Sequence, residues 1–104
     1  MLSELKAVYD LIEKLAVKKR LSNEEKVFNK VIATMYTMGG NGSTAVSQDQ
    51  IEIEGISKME IFRAIERADF EDMLIGCNSF GTLGRWMLNP KGVLYVEALL
   101  SENS

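Results

Sequence analysis

The chain has 104 residues, 46% hydrophobic and 26% charged, with one proline, one cysteine, no histidine and a formal net charge of −3. That length supports one domain around one core, and the balance of apolar to charged residues is that of an ordered, helix-rich globular protein. Glu4, Asp10 and Glu13 interrupt the N-terminal leucines and no window approaches the ~18 consecutive apolar residues of a membrane span, so neither a signal peptide nor a membrane partner is expected. The lone cysteine agrees with a reducing, cytoplasmic setting.

Residues 3–20 place Leu5, Val8, Ile12 and Leu15 at spacings of three, four and three, with Leu11 widening the stripe, which predicts an amphipathic helix. Lys18, Lys19 and Arg20 crowd its last turn, where positive charge meets the negative end of the helix dipole. A second helix is predicted from Ser22, whose S-x-x-E spacing with Glu25 is a helix start. It carries Val27, Phe28, Val31, Ile32, Met35 and Met38 toward the core and ends at Gly39-Gly40. Residues 41–45 are small and polar enough for a loop.

Two further S/T-x-x-E/Q pairs, Ser47 with Gln50 and Ser57 with Glu60, predict two short helices joined at Glu54-Gly55, a helix-turn-helix over residues 47–72. Gly55 supplies the permissive backbone of the turn, and Ile53 and Ile56 flank it with side chains that tie the helices together. The second of these helices puts Ile61, Ile65 and Ala68 on one side, with Phe62 and Asp69 at its margin. Lys58, Arg63 and Arg67 fall largely on other faces. Residues 73–77 and 85–88 are strand-like, and the glycines of Ser79–Gly84 suit a hairpin tip, giving a hairpin over 73–88. Leu88-Asn89-Pro90-Lys91-Gly92 then breaks the strand, and residues 92–100 form a last helix carrying Val93, Val96, Leu99 and Leu100.

In that order the pieces resemble the winged helix-turn-helix superfamily, and the run L-N-P-K-G-x-x-Y-x-E from Leu88 is similar to the L-T-x-K-G endings of MarR-like and PadR-like regulators. Asn89 stands where those endings have threonine or serine, and it caps a helix equally well. The expected fold is therefore mainly α with a small β-hairpin (α+β), a winged helix-turn-helix with an additional N-terminal helix. The resemblance implies that the helix from Ser57 enters the major groove of double-stranded DNA, that the Ser79–Gly84 tip reaches the backbone or minor groove, and that terminal helices make a homodimer. Candidate nucleic-acid contacts are Ser57, Lys58, Arg63, Arg67 and Arg85. The leucine face of the first helix either closes the monomer core, as most amphipathic helices do, or pairs with its symmetry mate. The second is favoured, with Leu5, Val8, Ile12 and Leu15 as candidate dimer contacts, since a winged-helix core is complete without this helix and its apolar stripe needs another place to hide.

Charge argues the other way. Residues 46–72 hold three positive residues against eight negative, a net of minus five, whereas phosphate neutralisation supplies most nonspecific DNA affinity. Seven of the twelve basic residues instead lie in the first thirty positions, where a solvated helix end explains them better than a second nucleic-acid patch. A winged-helix protein-protein interaction module with an acidic surface is the alternative, since one fold serves both tasks.

Catalysis has little support. Without histidine the chain lacks the commonest general base and metal ligand, so an enzyme is not expected. Cys77 reads as a buried strand thiol, and zinc would need ligands that are missing. Asp69, Glu71 and Asp72 lack a ligand loop, and no lysine follows Gly39-Gly40-Asn41-Gly42 as a phosphate loop requires, so no metal or cofactor is expected. Trp86 and the methionines, Met35, Met38, Met59, Met73 and Met87 among them, are expected to fill the core, and Phe80 sits at the hairpin tip.

Overall fold

A computed structural model describes residues 2–40, 43–76 and 84–102. The fold is mainly helical with a small three-stranded antiparallel sheet. The first helix, α1 (Leu2–Lys19), ends because Arg20 adopts a left-handed conformation with φ 54°, which turns the Leu21 N–H back onto Ala16 O at 2.9 Å and satisfies a carbonyl the helix leaves open. Helix α2 (Asn23–Met38) starts where its cap predicts, with the Glu25 N–H donating to Ser22 Oγ at 3.1 Å. Every residue from Val31 to Met35 is buried, so α2 is the axis against which α1, α3 and α4 pack.

Two polar side chains on that axis are buried, and each has a tyrosine partner. Tyr9 of α1 hydrogen-bonds Thr34 at 2.6 Å, and Tyr95 of the last helix donates to Asn29 at 2.5 Å, so burial leaves neither group unsatisfied. Burial pushes both phenols above the ordinary tyrosine range of about 10, with the negative charge of Glu25 adding to the effect at Tyr95 and the Thr34 bond opposing it at Tyr9. A folded-state pKa raised in this way leaves stability intact below the unfolded value and removes it as pH rises through the folded value. These two phenols therefore leave thermal melting unchanged from neutral pH up to about pH 10 and lower it above that, and a melting temperature that did not fall above about pH 10 would exclude the effect.

After α2 the chain runs through β1 (Val46–Ser47), a single 3-10 turn (Gln48–Gln50), helix α3 (Lys58–Phe70), β2 (Leu74–Gly76), β3 (Arg85–Leu88) and helix α4 (Pro90–Ser101). The sheet has the order β1-β3-β2, with Val46 opposite Trp86 on one side of β3, and Leu74 opposite Leu88 on the other. The antiparallel β2–β3 pair is the one expected of the hairpin; its connection, with Cys77, Phe80 and most of the Ser79–Gly84 tip, lies outside the described residues. Strand β1, which the composition of the preceding loop conceals, makes β3 the central strand.

The helix expected from Ser47 does not form. The Ser47 side chain makes no capping bond, and the turn after it buries none of its residues. A short helix needs an apolar face to offset its nucleation cost, and Gln48-Asp49-Gln50 has none. The next four residues alternate buried Ile51, exposed Glu52, buried Ile53 and exposed Glu54, a two-residue period that suits an extended chain. Gly55, at φ 82°, then turns the chain toward α3.

The stripe of α1 also has a different destination from the one expected. Ile12 and Leu15 are 1% and 2% exposed within this single chain, and Ile12 belongs to the main apolar cluster, because α2 offers a complementary face inside the same molecule. They are therefore core residues and not dimer contacts. Val8 is half-buried against the same cluster and Leu5 is half-exposed.

The remaining expectations fall mostly into place. Ile61, Ile65 and Ala68 are buried together with Ala64, and Met35 and Met73 are in the core, but Met59 is 60% exposed. Trp86 is half-buried, its indole N–H donating to Gln48 Oε1 at 3.1 Å across the sheet edge. Helix α4 begins at Pro90, two residues earlier than expected, because Asn89 Oδ1 accepts the Gly92 N–H at 2.9 Å and proline suits a first helical position.

Candidate nucleic-acid interface

Helix α3 is set by its cap. The Glu60 N–H donates to Ser57 Oγ at 3.2 Å while the Ser57 N–H donates to Glu60 Oε1 at 3.1 Å, a reciprocal box that satisfies two otherwise open amides. The Ser57 hydroxyl lies 3.1 Å from the same carboxylate, so this candidate contact is occupied in holding the helix end. Lys58 is occupied as well. Its ammonium donates to Asp49 O at 3.0 Å and Ile51 O at 2.9 Å, closing the C-terminal end of the 3-10 turn, so its charge folds back onto the main chain.

Arg67 lies inside a network. Its Nη2 is 2.8 Å from Glu25, its Nε donates to Glu71 at 2.8 Å, and its guanidinium sits 4.1 Å above the Phe28 ring. Burial works against its charge, yet the bonds to Glu71 and Glu25 win and hold the guanidinium above its usual pKa. Phe28 in turn meets Tyr95 edge-on at 5.9 Å. A stack of Arg67, Phe28 and Tyr95 thereby ties α3, α2 and α4 together, so the guanidinium expected at a nucleic-acid contact is engaged by two carboxylates and a ring within the fold.

Arg63 remains. It is exposed, makes no ion pair among the described residues, and borders a cleft of about 290 Å³ with Asn23, Glu24 and Glu60. Arg85 lies half-buried on β3, opposite Ser47. The five candidates thus do not form one basic patch.

The outward face of α3 runs through Met59, Arg63, Glu66 and Phe70, at spacings of four, three and four, opposite the buried Ile61, Ala64, Ile65 and Ala68. Met59 and Phe70 are 60% and 91% exposed. Neither was singled out from the sequence as a surface residue, although the helical period already places both off the Ile61–Ile65–Ala68 stripe. Among the described residues no three acidic or cysteine side chains converge as a metal site, and no helix is long and apolar enough to cross a membrane. Comparison with protein families, curated proteins and solved structures finds no match to this chain.

Proposed function

We propose that this chain is a winged-helix protein that binds double-stranded DNA as a regulator of transcription, reading the major groove with the outward face of α3. One observation carries the reading. Helix α3 buries a single side and leaves the opposite side, with Arg63 at its middle, uncovered beside the antiparallel β2–β3 pair. The element order from α2 to α4 and the β1-β3-β2 sheet support it, being the arrangement in which a recognition helix is followed by a wing. In this reading Arg63 reads the groove and Arg85 flanks it, while Ser57, Lys58 and Arg67 hold α3 in place. A homodimer would double the set, and it would be held by surfaces other than Ile12 and Leu15.

Few cations imply a shallow salt dependence, since the slope of log affinity against log salt is about −0.9 for each phosphate neutralised. Titration of labelled duplex DNA at several salt concentrations tests this. Arg63→Ala is expected to weaken binding roughly tenfold or more, the worth of one good arginine contact to a base at about 1–3 kcal/mol, with thermal melting unchanged. Absence of binding to any duplex at low salt would sink the reading.

A second reading, an interaction module that binds a protein, is favoured by the exposed Met59 and Phe70 on the same face, since methionine and aromatic residues are enriched where proteins dock. It gains if Arg63→Ala leaves DNA affinity unchanged.

A further inference from the structure

Between α1 and the extended run Ile51–Glu54 lies a groove of about 640 Å³ that shares no lining residue with the outward face of α3. Leu5, Tyr9 and Ile53 supply its apolar lining, and Asp10, Glu52 and Glu54 stand along it as exposed carboxylates. A fourth carboxylate of the lining, Glu13, is neutralised by Lys30 at 2.6 Å and by Lys26 at 3.4 Å. Asp10, Glu52 and Glu54 make no ion pair among the described residues, and Lys6 is the single cation of the lining outside the Lys30 pair. The groove is therefore apolar within and negative at its margin.

We propose that this groove binds an extended peptide with basic residues at alternate positions and apolar residues between them. The period of the groove wall selects that occupant. Ile51 and Ile53 are buried in the core while Glu52 and Glu54 are exposed, so the two carboxylates stand two residues apart where the chain enters the Ile53–Ile56 turn, a spacing of roughly 6.5–7 Å if the backbone there is extended. A peptide lying alongside in the same extended form repeats its side chains at the same interval. Its basic residues meet Glu52 and Glu54, and its apolar residues turn toward Leu5 and Tyr9. Among the described residues between α1 and α3, no other exposed carboxylates stand on alternate residues outside the helices. Opposite charges in register attract, and like charges in the same register repel. The inference stands apart from the DNA reading, since it uses neither Arg63 nor Arg85.

Fluorescence anisotropy on the full chain tests it with three labelled peptides: one alternating lysine and valine, one of identical composition with its lysines grouped at one end, and one alternating glutamate and valine. The alternating basic peptide is expected to bind at least about tenfold more tightly than the grouped one, and the acidic one not at all. The double variant Glu52→Lys, Glu54→Lys changes exposed positions only. It is expected to keep its circular-dichroism melting curve and to lose binding by about tenfold or more. Equal binding of the alternating and grouped peptides would reduce the effect to unspecific charge attraction and overturn the proposal. So would unchanged affinity in the double variant, or no binding of the alternating basic peptide.

Discussion

Gly92→Ala is expected to destabilise the protein by about 3 kcal/mol, lowering the melting temperature by roughly 12–24 °C for a domain of this size. The direction reverses the usual rule, in which alanine inside a helix gains up to about 1 kcal/mol over glycine. Gly92 lies in the first turn of α4 and is buried. A methyl group there would come within 2.5 Å of the Met73 carbonyl oxygen and 3.1 Å of Leu88 Cδ2. Leucine can shift by a few tenths of an ångström, but the carbonyl is main chain and accepts the Asn89 N–H at 2.9 Å. Relieving the clash means moving that bond, at the point where β2, β3 and α4 meet. Gly92→Ser is expected to behave alike. A chemical or thermal melt decides the matter, and a Gly92→Ala variant as stable as the parent would show that α4 can slide away from Met73.

Arg67→Ala is expected to cost about 2 kcal/mol and, on the proposed DNA-binding reading, to weaken duplex binding only as far as it reduces the folded fraction. The two ion pairs to Glu25 and Glu71 contribute modestly, because the glutamate side chains are each 38% exposed and water screens them. The contact with Phe28 at 4.1 Å and the packing of the arginine stem supply the larger part. Removing the guanidinium also leaves two like charges facing each other across the α2–α3 seam. Arg67→Lys is expected to recover only part of the loss, since an ammonium cannot serve both carboxylates in one planar fork while lying flat on a ring. Arg63→Ala, one turn away, is expected to leave the melting temperature within about 0.5 kcal/mol of the parent. Measuring both variants by melting and by DNA titration separates a support from a contact. A stable Arg67→Ala protein with lost DNA affinity would reverse the two roles.

The helices were legible because their signals are local. Ser22 with Glu25, and Ser57 with Glu60, are caps whose donor and acceptor lie three residues apart, and both bonds form as the spacing predicts. Asn89 capping α4 and the antiparallel β2–β3 pair were readable for the same reason. Ser47 with Gln50 shows the limit of that logic. The spacing is the same, but Gln48-Asp49-Gln50 has nothing to bury, and Ile51 and Ile53 gain more by entering the core from an extended chain. Strand β1 escaped notice because two residues carry no period, and only its pairing with β3 makes it a strand.

The exposed face of α3 was legible in the sequence, but not which partners its basic residues meet. Helical period located the outward face of α3 and put Arg63 on it. Nothing local said that the Lys58 ammonium would turn back to the carbonyls of Asp49 and Ile51. Nor did it say that Glu25, far away in the chain, would take Arg67. Whether a basic side chain is free to meet a phosphate depends on which carboxylates and carbonyls the fold brings beside it, and those partners come from other elements.

The sequence by itself determined the four helices, the capped starts of α2, α3 and α4, the glycine turn before α3 and an acidic balance around that helix, all consequences of spacing and composition within a few residues. Only the tertiary structure decided that Ile12 and Leu15 close the monomer core, that Arg67 bridges α2 and α3, and that a carboxylate-edged groove lies between α1 and the Ile51–Glu54 run. The physical reason is range. A cap or an apolar stripe is satisfied along one element, whereas burial, ion pairing and a groove each need two surfaces that the sequence keeps apart and the fold brings together.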